Sequence, residues 1–366
     1  MPIFKTLRNG LVIGVSAVSL IFFLTETSIA EDDATAVVKR TAAEVVAETP
    51  TLHEENPENA LGSSNGAYYK IDENSFAYYE KPRAYSFLLN SPLNIVDWLK
   101  DSFQKKNTLT IAGLTVLTAG LIAADQDLYR ISHNIGRSLN ITDDDRMGGR
   151  LPITSKASIK YPDNLGSAMY YLGDGMIPIS ITLGMLSYGL ATSDVRSLQT
   201  SSQMAEGLIS VAIVVQALKR TTGREVPRIA SEPGGKWRFF PAFNEYNKHT
   251  PTYDAFPSGH LATTMMTITV LSDNYPEYTL IKPIGYGVMT ILGFQMVNNG
   301  VHWVSDYPLA IAIGYGLGKV ATSHGRKVVS TEKSAEKTSK RPFFTDMMIL
   351  PVPIENGGAM IMVARF

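Results

Sequence analysis

Six long apolar stretches divide the chain, and polar segments separate them. They lie at 108–124, 166–191, 204–218, 260–271, 286–297 and 308–321. Each is longer than a typical strand, and none alternates strictly between apolar and polar residues, so the pattern predicts α-helices. An amphipathic segment at 91–103, opened by Ser91 and Pro92, predicts one more helix ahead of them. We therefore expect an all-α fold, a helical bundle of about six core helices.

Polar segments flank this helical domain, which we place at 89–325. Residues 31–88 are acidic and poor in large aliphatic side chains, which predicts a flexible lead. Residues 326–366 begin as a basic linker and continue as two apolar runs around Asn356-Gly357-Gly358. A glycine-rich turn between two apolar runs indicates a possible short C-terminal β-hairpin.

The beginning of the chain has the pattern of a signal peptide at 1–30. Lys5 and Arg8 precede an apolar run, and Ser28 and Ala30 are the small residues ahead of a cleavage site. Cleavage after Ala30 would export the protein to the bacterial periplasm or cell envelope. An uncleaved membrane anchor is the alternative interpretation.

The length of the apolar stretches bears on whether the bundle crosses a membrane. A spanning helix needs about 20 apolar residues, and most of the stretches are shorter. The longest one carries Asp174 in its interior. If all six stretches crossed after a cleaved signal, the loop at 219–257 would lie on the cytoplasmic side of the membrane. That loop carries part of the candidate site described below. The pattern favours a soluble or membrane-surface bundle, with an integral membrane protein as the alternative.

The amino-acid composition limits which partners the protein can bind and which kinds of chemical site it can contain. The formal net charge of −1 over 366 residues does not suggest a nucleic acid partner. The chain has no cysteine, which excludes disulfides, thiolate metal sites and a cysteine nucleophile. None of the six histidines pairs at the HExxH spacing of a zinc site. We expect no metal and no cofactor, and the sequence leaves the oligomeric state open.

Three polar motifs lie at the ends of the predicted helices. LKRTTGREVP (218–227) ends the third helix, FPSGHLATT (256–264) begins the fourth, and HWVSD (302–306) joins the fifth to the sixth. In an antiparallel bundle these three points meet at one end. The sequence therefore predicts one site built from three distant segments.

The first two motifs offer groups that bind an anion. Ser258 and Gly259 begin a helix, and the free N–H groups and dipole of a helix N-terminus attract negative charge. Lys219 and Arg224 add positive charge for phosphate oxygens. We expect these four residues to bind the phosphate of a substrate.

The histidines of the second and third motifs offer catalytic groups. His302 precedes Asp306 by four residues, so the carboxylate could hold the imidazole in one tautomer and orientation. His302 could then attack phosphorus and form a phosphohistidine. His260 could donate a proton to the leaving oxygen and later accept one from water. Taken alone, the pair could equally be a loop histidine and a helix-start aspartate.

Taken together, the three motifs resemble the signature of the type 2 phosphatidic acid phosphatase and vanadium haloperoxidase superfamily. The resemblance covers roughly residues 108–322 and rests on the Lys-Thr-Gly-Arg-Pro context, PSGH and His-Trp-x-Ser-Asp. It implies an all-α bundle that hydrolyses phosphate monoesters or pyrophosphates, often on lipids. It also implies the roles assigned above: His302 as nucleophile, Asp306 as its partner, and His260 as acid and base.

Two positions depart from the family pattern. Val226 and Met296 stand where the family has arginines that clamp the phosphate. A single arginine of this kind can change a phosphoryl-transfer rate by ~10³–10⁵. Another arginine of the same loop (Arg220, Arg224 or Arg228) could replace them, with Asn298 or Asn299 donating neutral hydrogen bonds. Alternatively, the substrate could carry less charge, or the protein could bind without catalysing.

The favoured hypothesis is a phosphoric monoester or lipid phosphate hydrolase that works through a phosphohistidine at the cell envelope. Its expected partner is a phosphate ester or lipid phosphate, with a membrane surface as a possible second partner and no nucleic acid. The main alternative is a catalytically inactive protein of the same fold that binds a phosphorylated or lipid ligand. A structural envelope protein that retains only the fold is the third interpretation.

Overall fold

The computed structural model describes residues 65–72, 75–145, 147–152, 158–330, 347–354 and 357–364. Over these ranges the chain forms a bundle of α-helices accompanied by three small antiparallel β-sheets. The expected signal peptide at 1–30 and most of the expected lead lie outside the described residues, so both stay predictions.

Nine α-helices lie within these ranges, and they confirm the all-α fold class. They are α1 (Ser86–Ser102), α2 (Thr108–Ser138), α3 (Leu165–Tyr171), α4 (Met176–Thr192), α5 (Val195–Thr222), α6 (Phe243–Lys248), α7 (Gly259–Asn274), α8 (Ile281–Asn298) and α9 (Tyr307–Ser323). Short 3-10 helices at Lys105–Asn107, Pro227–Ile229, Thr250–Thr252 and Val304–Asp306 lie between them.

The apolar stretches all form helices, but the second one forms two. The stretch at 166–191 breaks between α3 and α4, whose axes differ by 53°. Asp174 lies in the break, and its carboxylate accepts a hydrogen bond of 2.8 Å from the N–H of Met176 at the start of α4. The polar residue that interrupts the apolar pattern therefore marks a real interruption of the helix.

The start of the first helix differs from the prediction. Helix α1 begins at Ser86, and Pro92 lies inside it rather than at its first turn. The Ser91 hydroxyl donates a hydrogen bond of 2.5 Å to the carbonyl of Phe87, one turn earlier. The helix therefore continues through a proline that lacks an N–H group to donate.

Part of the expected flexible lead and basic linker is ordered. Strands β1 (Gly66–Lys70), β2 (Ser75–Glu80) and β5 (Arg326–Ser330) form one antiparallel sheet in the order β1-β2-β5. The side chains of Ala77, Tyr78 and Tyr79 in β2 are buried, and the Tyr79 hydroxyl donates to the carbonyl of Asn274 at the end of α7. These aromatic residues provide the apolar surface that orders the segment. The acidic composition of the lead as a whole does not reveal them.

Two hairpins complete the fold. Strands β3 (Gly149–Pro152) and β4 (Ser158–Tyr161) pair between α2 and α3 in sequence. Strands β6 (Met347–Ile354) and β7 (Gly357–Ala364) pair antiparallel with Ile354 opposite Gly357. The second pair confirms the expected C-terminal β-hairpin.

Helices α5, α7, α8 and α9 enclose the main apolar core. Its buried residues are Met204, Val211, Val214, Val215, Leu261, Ala262, Met266, Val270, Leu292, Met296, Ala310, Ile313 and Leu317. Helix α9 approaches α7 closely at Gly314, where a Cβ atom would lie 2.1 Å from the carbonyl oxygen of Ala262. This close approach brings the beginnings of α7 and α9, and with them two of the three polar motifs, side by side.

Two helical segments are long and apolar enough to cross a membrane. These are Lys105–Ser138 and Val195–Thr222, and the bent pair of α3 and α4 adds a third if it counts as one span. The most apolar part of the first segment is 0% buried by the rest of the protein. The expectation that the apolar stretches are too short to span therefore does not hold for these segments, judged by length and composition.

Candidate active site

His302 lies in the connection between α8 and α9. Gly300 adopts φ +67°, which turns the chain sharply after α8, and the 3-10 helix Val304–Asp306 then leads into α9. The Nδ1 atom of His302 lies 2.7 Å from the carbonyl oxygen of Ala255 and 3.3 Å from Oδ2 of Asp306. A carbonyl oxygen only accepts hydrogen bonds, so Nδ1 carries the proton and Nε2 keeps its lone pair when the ring is neutral.

Asp306 is held at both ends of its carboxylate. Oδ2 accepts a hydrogen bond of 2.8 Å from the N–H of Trp303, and Oδ1 accepts one of 2.6 Å from Arg224. The carboxylate is fully buried. It is therefore fixed beside His302, as the four-residue spacing predicts, although a 3-10 turn rather than an α-helix creates the contact.

Arg224 lies in the interior and not in the expected phosphate-binding position. Its guanidinium is fully buried, and it binds Asp306, Asp125 at 2.7 Å, Ser305 at 2.7 Å and the carbonyl of Gly234. With its donors directed at these partners, the side chain holds Asp306 in place. The expectation that Arg224 contacts substrate is corrected on this ground.

Asp125 completes this buried ion network from helix α2. Its Oδ1 atom accepts the N–H of Ser305 at 3.0 Å, and Oδ2 accepts the Ser305 hydroxyl at 2.5 Å. Two tryptophans flank the shared guanidinium, with its carbon 4.8 Å from the ring centre of Trp237 and 5.3 Å from that of Trp303. The aromatic faces favour a cation there and exclude water from its ion pairs.

The N-terminus of α7 lies against this network. The N–H of Ser258 donates to the carbonyl of Asp306 at 3.1 Å, and the Ser258 hydroxyl accepts from the N–H of Leu261 at 3.4 Å. Ser258 is fully buried and acts as the N-cap of the helix. The N–H groups of Gly259 and His260 belong to the first turn, where no intrahelical acceptor exists, so they are suited to an anion.

The two histidines face each other. The ring centres of His260 and His302 are 6.0 Å apart with planes at 73°, and the ring of Tyr170 in α3 lies 5.1 Å from that of His260. His260 is partly exposed, whereas His302 is buried. The two rings are therefore close enough for both to contact one bound group.

Lys219 supplies positive charge beside the histidine pair. Its ammonium group lies 2.7 Å from Oδ2 of Asp254, and the hydroxyl of Tyr246 donates to the other carboxylate oxygen of Asp254. The lysine side chain is 7% exposed and that of Asp254 is 27% exposed. The lysine that is expected to bind phosphate therefore lies beside the histidines, and a carboxylate accompanies it.

The environment governs the protonation of these groups. Burial lowers the pKa of His302 to about 3, and the charge of Lys219 acts in the same direction. Burial lowers the pKa of His260 to about 3 as well, together with the charges of His302 and Lys219. Burial raises the pKa of Asp306 to about 6, against the effect of Arg224. At neutral pH both imidazoles are neutral, and Asp306 is mostly ionised.

Val226 and Met296 are both buried. Met296 belongs to the main core, and its sulfur lies 3.9 Å from the Ser258 hydroxyl. Val226 packs with Ala255 and Trp303 in a smaller cluster. Apolar packing thus occupies two positions directly behind the site, and neither contributes charge to it.

The structure brings six of the seven expected site residues together and shows three that the motifs do not contain. His302, His260, Asp306, Lys219, Ser258 and Gly259 meet at one end of the bundle. Asp125 and Tyr170 were missed as site residues, and Asp254 was expected only to shape the entrance of the pocket. Asp125 had one usable signal, because a lone carboxylate inside an apolar helix needs a partner. Within the described part of the chain, no group of three or more potential ligands could hold a metal ion.

Comparison with known proteins shows a similarity over the residues that form this site. Residues 202–328 match the model of the PAP2 superfamily, and these residues include all three motifs. LpxE of Aquifex aeolicus is similar over 43% of this chain and 84% of its own, with 19% identity and a TM-score of 0.33. The first transmembrane PAP2 type phosphatidylglycerolphosphate phosphatase from Bacillus subtilis is similar over 65% and 95%, with 14% identity and a TM-score of 0.35. No curated protein matches the chain.

Proposed function

We propose that this chain, whose residues 202–328 belong to the PAP2 superfamily, hydrolyses a phosphoric monoester or lipid phosphate through a phosphohistidine. The observation that carries the proposal is the orientation of His302. Its Nδ1 proton is committed to the Ala255 carbonyl and to Asp306, and its low pKa keeps Nε2 unprotonated at neutral pH. A neutral, oriented imidazole nitrogen is the nucleophile that this reaction requires.

In the first step, the Nε2 lone pair of His302 forms a bond to phosphorus as the bond to the leaving oxygen breaks. His260, on the other side of the site, donates the proton that the leaving alcohol needs. A phosphate anion beside His260 favours its charged form and raises its low pKa toward the range in which it can act as an acid. Asp306 stabilises the positive charge that develops on His302.

In the second step, water releases phosphate from His302. His260, now neutral, takes a proton from the water, whose oxygen bonds to phosphorus as the N–P bond breaks. The N–H groups at the start of α7 and the ammonium of Lys219 stabilise the negative charge of the transferring group. The cycle returns both histidines to their starting states.

A lipid substrate at the cell envelope is consistent with the surroundings of the site. Phe239, Phe240 and Phe243 are exposed, and the N–H of Phe240 bonds to the carbonyl of Thr221 at the end of α5. Helix α5 ends in the site and is one of the two segments suited to span a membrane. Exposed aromatic residues beside such a segment can contact an acyl chain or membrane interface.

The test uses purified full-length protein with a chromogenic phosphate ester and phosphatidic acid. His302→Ala should abolish hydrolysis and the phosphoenzyme, while His260→Asn should slow release and let an acid-labile phosphoenzyme accumulate. His249→Ala, a change at an exposed loop histidine, serves as the matched control and should retain activity. Equal activity of the wild type and His302→Ala would overturn the proposal.

An inactive binding protein is the second candidate, and the burial of Val226 and Met296 favours it. Neither position supplies the cation that accelerates phosphoryl transfer. In that case phosphate would bind to the wild type, and no phosphoenzyme would form with either substrate. Turnover that disappears in His302→Ala would eliminate this candidate.

A further inference from the structure

The positive charge of Lys219 is already matched by a carboxylate. The Nζ atom of Lys219 is 2.7 Å from Oδ2 of Asp254, and the lysine is buried. Lys219 acts on the pKa of both histidines, so this ion pair lies at the place where a substrate phosphate would bind. A phosphate oxygen approaching Lys219 therefore meets the negative charge of Asp254 as well.

Asp254 is fixed in this position. The Tyr246 hydroxyl donates to its second carboxylate oxygen, so the carboxylate bridges α5 and α6. The next residue, Ala255, donates its N–H to the carbonyl of Arg224 at 3.0 Å and accepts from His302 through its own carbonyl. The backbone that orients the nucleophile thus also positions Asp254.

Arg228, which lies on the loop after α5, is also paired with a carboxylate. The guanidinium of Arg228 lies 2.5 Å from Oδ2 of Asp145. The backbone N–H of Arg228 donates to the carbonyl of Gly300, two residues before His302. Its side chain is 41% exposed, so this ion pair is screened by solvent more than that of Lys219. Lys219 and Arg228 therefore each have a carboxylate partner from another segment.

We infer that Asp254 is a specificity-determining residue that shifts the preference of the site away from phosphate groups carrying two negative charges and toward those carrying one. This inference rests on the proposed function, because it concerns the same phosphate site. A doubly charged phosphate is attracted by Lys219 but repelled by the adjacent Asp254. A singly charged group, such as a phosphodiester or a protonated monoester, meets half of that repulsion and half of the attraction to Lys219, so the presence of Asp254 costs it less.

The experiment compares two ligands that differ by one charge. Methylphosphonate is doubly charged at pH 8.5, and its monomethyl ester carries one charge at similar size. Binding of each to the full-length protein is measured by isothermal titration calorimetry, which needs no turnover. The variant Asp254→Asn keeps the shape of the side chain and removes its charge. Asp273→Asn is the control, because it removes a carboxylate paired with Lys319 at the far end of α7.

The expected result is that the ratio of the affinity for methylphosphonate to that for the monomethyl ester is lower in the wild type than in Asp254→Asn. Asp254→Asn should tighten methylphosphonate by about tenfold, a difference of about 1.4 kcal/mol, and should change the ester much less. Asp273→Asn should leave both affinities unchanged, and circular dichroism should show the same helicity in all three proteins.

Three results would overturn the inference. Asp254→Asn could weaken both ligands equally, which would make Asp254 a support for Lys219 and nothing more. It could tighten both ligands equally, or neither ligand could bind to any of the proteins. Failure of the proposed function looks different, because a protein without hydrolytic activity still reports the charge preference by calorimetry.

Discussion

Replacing Arg224 tests the buried ion network that holds Asp306 beside His302. Asp125, Arg224 and Asp306 have no exposed side-chain surface, and the guanidinium joins the two carboxylates at 2.7 and 2.6 Å. The three groups together carry one negative charge. Arg224→Met removes the cation and leaves two carboxylates that neither water nor a counter-ion reaches.

The magnitude follows from the cost of unpaired buried charge. Breaking a buried ion pair by removing one partner costs about 3–5 kcal/mol, so Arg224→Met should lower the free energy of unfolding by that amount. Adding Asp125→Asn restores the net charge of the network to the wild-type value. The double variant should therefore be more stable than Arg224→Met alone, by about 1–3 kcal/mol, the usual range for coupled neighbours.

The assay is urea unfolding of the two variants and the wild type, followed by circular dichroism, with phosphatase activity measured in parallel. Activity should fall in Arg224→Met and stay low in the double variant, because Asp306 has lost its anchor in both. A double variant less stable than Arg224→Met would refute the reasoning. So would a loss below 1 kcal/mol in Arg224→Met, because the network would then contribute little.

Three further predictions address the turn, the core and the histidine pair. Gly300→Ala should cost about 1–3 kcal/mol by urea unfolding, because φ is +67° and the new Cβ would lie 2.8 Å from that of Arg228; Gly287→Ala, with nothing within 4 Å, is the control and should cost nothing. Met296→Arg should lower the melting temperature sharply because it buries an unpaired charge in the main core, and a stable, more active variant would contradict this. Folded His260 has a pKa of about 3 and the unfolded residue one near 6.5, so protons favour the unfolded chain as the pH falls through 6.5. His260→Gln should therefore lose less stability between pH 7 and pH 5 than the wild type, and an equal loss would contradict the assignment.

The sequence predicts the bundle and the meeting of its motifs because both depend on local patterns. Apolar stretches specify helices, and short connections between antiparallel helices bring alternate ends together. Strands β1 and β2 were not predicted from the sequence, because their apolar surface comes from a few tyrosines in an acidic segment. Helix α1 was shortened because Pro92 resembles a helix start, although the helix tolerates it.

The role of Arg224 could not be predicted from its own motif. Arg224 and Lys219 have the same charge and lie five residues apart, so the sequence alone gives both the same role. The difference comes from Asp125, nearly a hundred residues earlier, which draws the guanidinium into the interior. Such a pairing depends on how α2 packs against the loop before α9, and no local pattern encodes that.

The hydrogen bond from His302 to the Ala255 carbonyl has a consequence for mutational robustness. Its acceptor is a backbone atom, so no side-chain replacement at position 255 removes the acceptor itself. Loss of the Asp306 carboxylate would leave the imidazole tautomer unchanged, because a carbonyl can only accept. Substitutions that change the charge of the site therefore need not change the orientation of His302. The charges around the site, and with them the ligand, can therefore change by substitution while the main chain continues to orient the histidine.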